Sequence, residues 1–222
     1  MASREMPLRD AELFAIAEIN QVGGIAGELI EPIVVDGASD PQEFARQAQQ
    51  LVHQEGITTL FGCWTSASRK AVLPIIEAAD ALLWYPTRYE GLESSRHVFY
   101  VGACPNQQIE PALNWLQQNQ RRSIYLVGTD YAFARTVNTI VRAQLKQQGR
   151  TIAGESYVAF DCQDFSSLIE QIQRAQPEAI FSTLTGSSSE IFYRQFYQAG
   201  LRAADLPILS ISATEAELLA MG

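Results

Sequence analysis

The stretch that decides the fold is Gly62-Cys63-Trp64-Thr65-Ser66-Ala67-Ser68-Arg69-Lys70, with Trp84-Tyr85-Pro86-Thr87-Arg88-Tyr89-Glu90-Gly91 soon after it. Each piece follows a short apolar run, at 58–61 and 81–83, that reads as a buried parallel strand. Two such strand ends in one sheet place hydroxyls, aromatic rings and a helix N-terminus along a single edge. In open α/β sheets that edge is where ligands bind. Hydroxyl, amide and aromatic groups gathered there suit a small neutral polar solute better than a reaction.

Outward from this point the chain alternates helical and extended periods. Leu13, Ile16, Ala17 and Ile19 give a helix over 8–22 that stops at Gly23-Gly24. Residues 29–35 read as a strand closed by Asp36-Gly37. Asp40-Pro41-Gln42-Glu43 supplies an N-cap, a first-turn proline and a capping carboxylate for a helix to about 54. A strand over 57–62, a helix over 66–79 that contains Pro74, and strands over 81–85 and 98–101 follow. Pro105 then opens a helix to about 119. The second half repeats the pattern: strands over 123–128, 151–159, 179–184 and 207–211, with helices over 131–148, 165–174 and 190–199. Such a succession predicts parallel sheets with helices on both faces. The boundary between two lobes, 1–104 and 105–222, is expected at 102–107. Both ends read as cut, because the first element is a helix with no strand before it and the last strand is followed only by a helical stub.

Composition narrows the function classes. The chain has 222 residues, is 47% hydrophobic and 18% charged, and carries a formal net charge of −9. That sign argues against nucleic acid or an anionic membrane as partner. No run of apolar residues reaches the length of a membrane span, and Met1-Ala2-Ser3-Arg4-Glu5-Met6-Pro7 has no apolar core of a signal peptide. Cys63, Cys104 and Cys162 are widely spaced, and His53 and His97 are far apart, so neither a metal site nor a disulfide framework is suggested. No cofactor fingerprint occurs and no nucleophile is paired with a base, so the chain reads as a binding protein rather than an enzyme.

Each candidate has a plainer alternative. Ser66 or Ser68 can cap the helix while its free N–H groups face a ligand oxygen, or the turn is an ordinary cap with Trp64 packed inward. Tyr85-Pro86-Thr87 offers hydroxyls to an amide, or is only a proline-shaped turn. Glu90 and Glu93 read as solvated loop charges or local caps. Asp130 reads as a helix cap, with Tyr131 placed to present its ring and hydroxyl across an interlobe cleft. Thr185-Gly186-Ser187-Ser188-Ser189 has the look of a phosphate cradle but lacks the spacing and lysine of a P-loop.

At these residues the chain resembles a known family. Gly62–Pro74, Tyr85-Pro86-x-x-Tyr89-Glu90-Gly91-x-Glu93, Pro105-Asn106-Gln107, Gly128-x-Asp130-Tyr131 and Ser210-x-Ser212-x-x-Glu215 look like the urea and short-chain-amide receptors, a branch of the type I periplasmic solute-binding proteins. The resemblance implies two Rossmann-like lobes with parallel sheets, the first of them incomplete here, closing on a solute. It implies no cofactor and no metal. It implies contacts from Trp64, Ser66, Tyr85 and Thr87 on the first lobe and from Tyr131 and the Thr185-Gly186 loop on the second. The partner it implies is an ABC permease or, for the sensory members, a signalling protein. Location would be periplasmic if a signal peptide precedes this segment, and cytoplasmic for an amide sensor. The chain departs from the family in its length, in lacking the opening strand and Ser/Gly-rich loop, and in having Ala134 where a proline is usual.

Overall fold

The computed structural model describes residues 2–213 together with residue 219. The chain divides into two compact units, Met1–Ala103 and Cys104–Gly222.

The first unit opens with α1 (Ala2–Gln21), followed by α2 (Pro41–His53), β1 (Thr59–Phe61), α3 (Ser66–Ala78), β2 (Leu82–Tyr85) and β3 (Val98–Tyr100). The three strands are parallel in the order β1-β2-β3, with Phe61 beside Trp84 and Trp84 beside Phe99. Asp40 caps α2 as its sequence predicts, its side chain accepting from Gln42 N at 2.9 Å. Alternation along the strands sends Leu83, Tyr85 and Val98 into a core with Ala48 of α2 and with Val72 and Ile76 of α3. The opposite face carries Phe61, Trp84 and Phe99. Their rings stack at 5.9 and 4.1 Å, and Phe61 and Phe99 remain 56% and 45% exposed. Helices on both faces were the expectation; among the described residues, α2 and α3 pack on one face of this sheet while Phe61 and Phe99 stay exposed on the other.

The strand predicted over 29–35 does not form. A strand exists only where a ladder can pair its backbone. Here Ile30 exchanges both backbone hydrogen bonds with the side chain of Asn20, each at 2.8 Å. Leu29, Ile33, Val34 and Val35 stay exposed.

The second unit contains α4 (Pro105–Gln118), β4 (Ser123–Thr129), α5 (Ala132–Gln147), β5 (Thr151–Val158), α6 (Ser166–Ala175), β6 (Ala179–Thr183), α7 (Ser187–Gln198) and β7 (Ile208–Ser210). Its four strands run parallel in the order β5-β4-β6-β7. Ile124, Leu126 and Phe181 face α4 and α5, packing with Leu113, Leu116, Val137 and Val141. Tyr125, Val127 and Ile180 face α6 and α7, packing with Ile169, Ile172, Phe192 and Phe196. Both faces are closed, and the near-continuous burial of β4 and β6 is what a doubly covered parallel strand requires.

Candidate functional site

The loop after β1 bends back through a left-handed Cys63, φ 62°, after Gly62, φ 138°. Thr65 is the N-cap of α3, accepting from Ser68 N at 3.0 Å, while Ser68 Oγ returns to the Thr65 carbonyl at 2.9 Å. The cap is therefore Thr65 rather than Ser66 or Ser68. Its extended backbone suits a cap, whereas both serines lie inside the helix.

Ser66 is buried, and its hydroxyl donates to Glu90 Oε2 at 2.6 Å. Glu90, expected as a loop charge, is 1% exposed. It accepts from Arg69 Nη2 at 3.3 Å and pairs with Lys70 at the same distance. Glu93 is likewise engaged, taking the Arg69 guanidinium at 2.8 and 3.3 Å and the Tyr100 hydroxyl at 2.7 Å. Burial raises the Glu93 pKa, but the hydrogen bonds from Arg69 and Tyr100 outweigh it and the net shift is downward. Both carboxylates are thus corrected from solvated charges to members of a buried network. Loop residues so far along the chain reach the start of α3 because β2 lies beside β1.

Arg69 organises this network. It is fully buried, with the Tyr85, Tyr89 and Tyr100 rings around its guanidinium at 4.7, 5.6 and 5.8 Å. The sequence carried a signal for it: Arg69, Val72 and Ile76 fall at i, i+3 and i+7, the buried stripe of α3. An arginine on such a stripe needs a buried anion.

Trp64, Tyr85 and Thr87 also meet. The Tyr85 hydroxyl and Thr87 Oγ1 each donate to the Trp64 carbonyl at 3.0 Å. Tyr85 is buried and Thr87 half-buried. Gly102 lies against this turn so closely that a Cβ there would sit 2.1 Å from the Thr87 backbone.

In the second unit, α5 starts at Ala132 with Tyr131 at the capping position and no side-chain cap. Asp130, expected as that cap, instead accepts from Arg135 Nε at 2.6 Å, a hydrogen bond that lowers its pKa. The Tyr131 ring lies 4.9 Å from Phe160 and 6.0 Å from Phe133. At the end of β6, Thr185 N donates to Thr129 Oγ1 at 3.1 Å, joining the carboxyl ends of two adjacent strands. The Thr185 hydroxyl is buried and has no hydrogen-bond partner among the described residues. Gly186, φ 77°, turns the chain into α7 with no side-chain cap, so α7 begins at Ser187, earlier than the sequence suggested. A buried hydroxyl beside an uncapped helix start can donate to a ligand oxygen. Ser212 is buried, and Glu215 lies outside the described residues.

The structure thus brings Trp64, Ser66, Tyr85 and Thr87 together within one unit and gathers Tyr131, Thr185 and Gly186 at the carboxyl edge of the other. No group of three or more His, Cys, Asp or Glu side chains suited to a metal occurs among the described residues, and no described helix is long and apolar enough to cross a membrane.

Comparison with known proteins agrees with this architecture. A Leu/Ile/Val-binding protein homologue of Brucella melitensis is 24% identical over 208 residues, which are 90% of this chain and 55% of that protein. A Pseudomonas aeruginosa protein that binds leucine, isoleucine, valine, threonine and alanine is 24% identical over 88% of this chain and 53% of its own length. The chain thus spans about half the length of these relatives. Among solved structures, a Rhodopseudomonas palustris solute-binding protein in complex with 4-hydroxybenzoate superposes with a TM-score of 0.78 at 19% identity, over 88% of this chain and 54% of that one. A branched-chain amino acid binding protein of Streptococcus pneumoniae in complex with isoleucine does so with a TM-score of 0.76 at 21% identity, over 88% and 56%. The family described as the periplasmic binding protein domain matches residues 1–222, and the chain belongs to that family, the type I periplasmic binding proteins.

Proposed function

We propose that this chain is part of an extracytoplasmic solute receptor serving an ABC transporter, and that its solute is urea or a short-chain amide. Its two units, Met1–Ala103 and Cys104–Gly222, act as the two lobes expected at 1–104 and 105–222, and it binds without catalysis. Trp64, Ser66, Tyr85 and Thr87 contact the solute from the first, and Tyr131, Thr185 and Gly186 from the second. The observation that carries the reading is the chemistry at the carboxyl edges of the sheets. Hydroxyls, rings and backbone N–H groups stand there, and the buried Arg69 is already matched by Glu90 and Glu93. A neutral solute needs donors for its carbonyl and acceptors for its NH2 groups, and these groups supply both. The relatives named above bind branched-chain amino acids or hydroxybenzoates, which makes those the comparison ligands.

A thermal-shift screen tests the proposal, because a ligand that binds only the native state raises the melting temperature. Urea, acetamide and propionamide should raise it in a concentration-dependent way. Stabilisation by isoleucine or 4-hydroxybenzoate with none by urea or any amide would overturn the solute assignment.

A further inference from the structure

Three loops meet at the carboxyl edge of the second unit's sheet. Tyr131 follows β4, Phe160 follows β5, and Ser188 sits in the first turn of α7, beyond β6. β4 and β5 are parallel neighbours, and Asp130 N donates to the Val158 carbonyl at 2.7 Å where both end. Tyr131 and Phe160 therefore emerge side by side, and their rings lie 4.9 Å apart at 54°. Phe160 is 38% exposed, so part of its ring is open to solvent.

A lone exposed apolar side chain needs no explanation. Phe160 differs in being fixed. Its carbonyl accepts from Ser188 Oγ at 2.6 Å, and Ser188 is fully buried. Its ring rests on that of Tyr131, which also packs against the buried Phe133 at 6.0 Å. Two other exposed rings among the described residues of this unit have a different setting. Trp115 lies on the body of α4, and Tyr197, in the last turn of α7, already carries the Arg202 guanidinium at 3.9 Å. A ring held in place before binding loses little freedom when a solute covers it. We infer that Phe160 is a further solute-contacting residue: with Tyr131 it forms an aromatic ledge at the carboxyl edge of the second unit, and the ledge receives the apolar part of an amide. Urea has no apolar part to place there. The favoured solute is thus an amide that bears an alkyl or aryl group. The inference rests on the proposed solute site and ranks the ligands within it.

Calorimetry on the full chain with urea, acetamide, propionamide and butyramide tests it. Affinity should rise along the series, by about fourfold for each added methylene that the ledge covers. Phe160→Ala should flatten that rise and leave the affinity for urea within about twofold of the wild type. Phe160→Leu, which restores an apolar body, should recover most of the rise. Phe160→Gln, which keeps the reach of the side chain and loses its apolar face, should flatten the series as Phe160→Ala does; it decides the matter if Phe160→Ala does not fold. A wild-type series that does not tighten with chain length would overturn the inference while the receptor reading for urea and amides stood. So would a series that folded Phe160→Ala or Phe160→Gln leaves as steep, or an equal loss for urea and butyramide that Phe160→Leu does not recover, since Phe160 would then only shape its loop. Binding of neither urea nor any amide would overturn the solute reading, and the inference with it.

Discussion

Replacing Arg69 by methionine keeps the apolar stem of the side chain and deletes its charge. In the wild type the guanidinium is fully buried, donates at 2.8–3.3 Å to Glu90, Glu93 and Ser66, and lies 4.7 Å from the Tyr85 ring centroid. The variant leaves Glu90, 1% exposed, with only Lys70 for a cation. Breaking a buried pair from one side costs about 3–5 kcal/mol, because the abandoned charge keeps its desolvation penalty. With a slope of about 2–6 kcal/mol/M in guanidinium chloride, the midpoint of the first unit should fall by about 1 M. Trp64 and Trp84 report that unit by fluorescence, and urea is avoided as denaturant because it is the proposed ligand. Adding Glu90→Gln and Glu93→Gln to Arg69→Met should cost less than the separate losses combined, with a coupling of about 1 kcal/mol or more. A loss below about 1 kcal/mol for Arg69→Met would mean the cluster behaves like a surface ion pair, and the network argument would be wrong.

Acidification should act on the same cluster. Glu93 has its pKa lowered from the ordinary 4.5, so its contribution is present above that value and is lost as pH falls through the lower folded-state value; stability should drop more steeply below pH 4.5 in the wild type than in Arg69→Met. Thr65→Ala removes the cap of α3 and should cost about 0.5–2 kcal/mol in the same denaturation assay, with no loss pointing to a different cap. Burial pushes the Cys63 thiol up to about 12, so a thiol reagent at pH 8 should modify Cys104 and Cys162 and spare Cys63 until the protein is unfolded. Gly102→Ala drives a Cβ to 2.1 Å from the Thr87 backbone, so it should destabilise the chain by about 1–3 kcal/mol and weaken binding, both measurable by melting with and without acetamide. Tyr131→Phe should weaken urea and amide binding roughly five- to 150-fold with little change in melting temperature; unchanged affinity would remove Tyr131 from the site.

The fold class was legible because local signals agreed with one another. Apolar runs of strand length, bounded by caps and glycines and separated by helical periods, admit few arrangements other than parallel sheets with crossover helices. The second unit follows that reading closely, since β4 and β6 are apolar on both faces and the helices around them carry matching stripes. The sequence also singled out the turns after β1 and β2 and the loop before α7. It misplaced the segment 29–35, because an apolar run states a preference for extension but not whether a neighbouring backbone is there to pair it; here Asn20 takes the hydrogen bonds instead. It also undervalued Glu90 and Glu93. The burial of a loop carboxylate is set by a partner 21 to 24 residues away, and only the β1–β2 pairing brings those loops to the first turn of α3. What the sequence determined by itself was the order of elements and the kinds of groups at their ends. That Glu90 is buried against Ser66 and Arg69 was decided only by the tertiary structure, because the burial of a charge belongs to the groups packed around it and not to the residue alone.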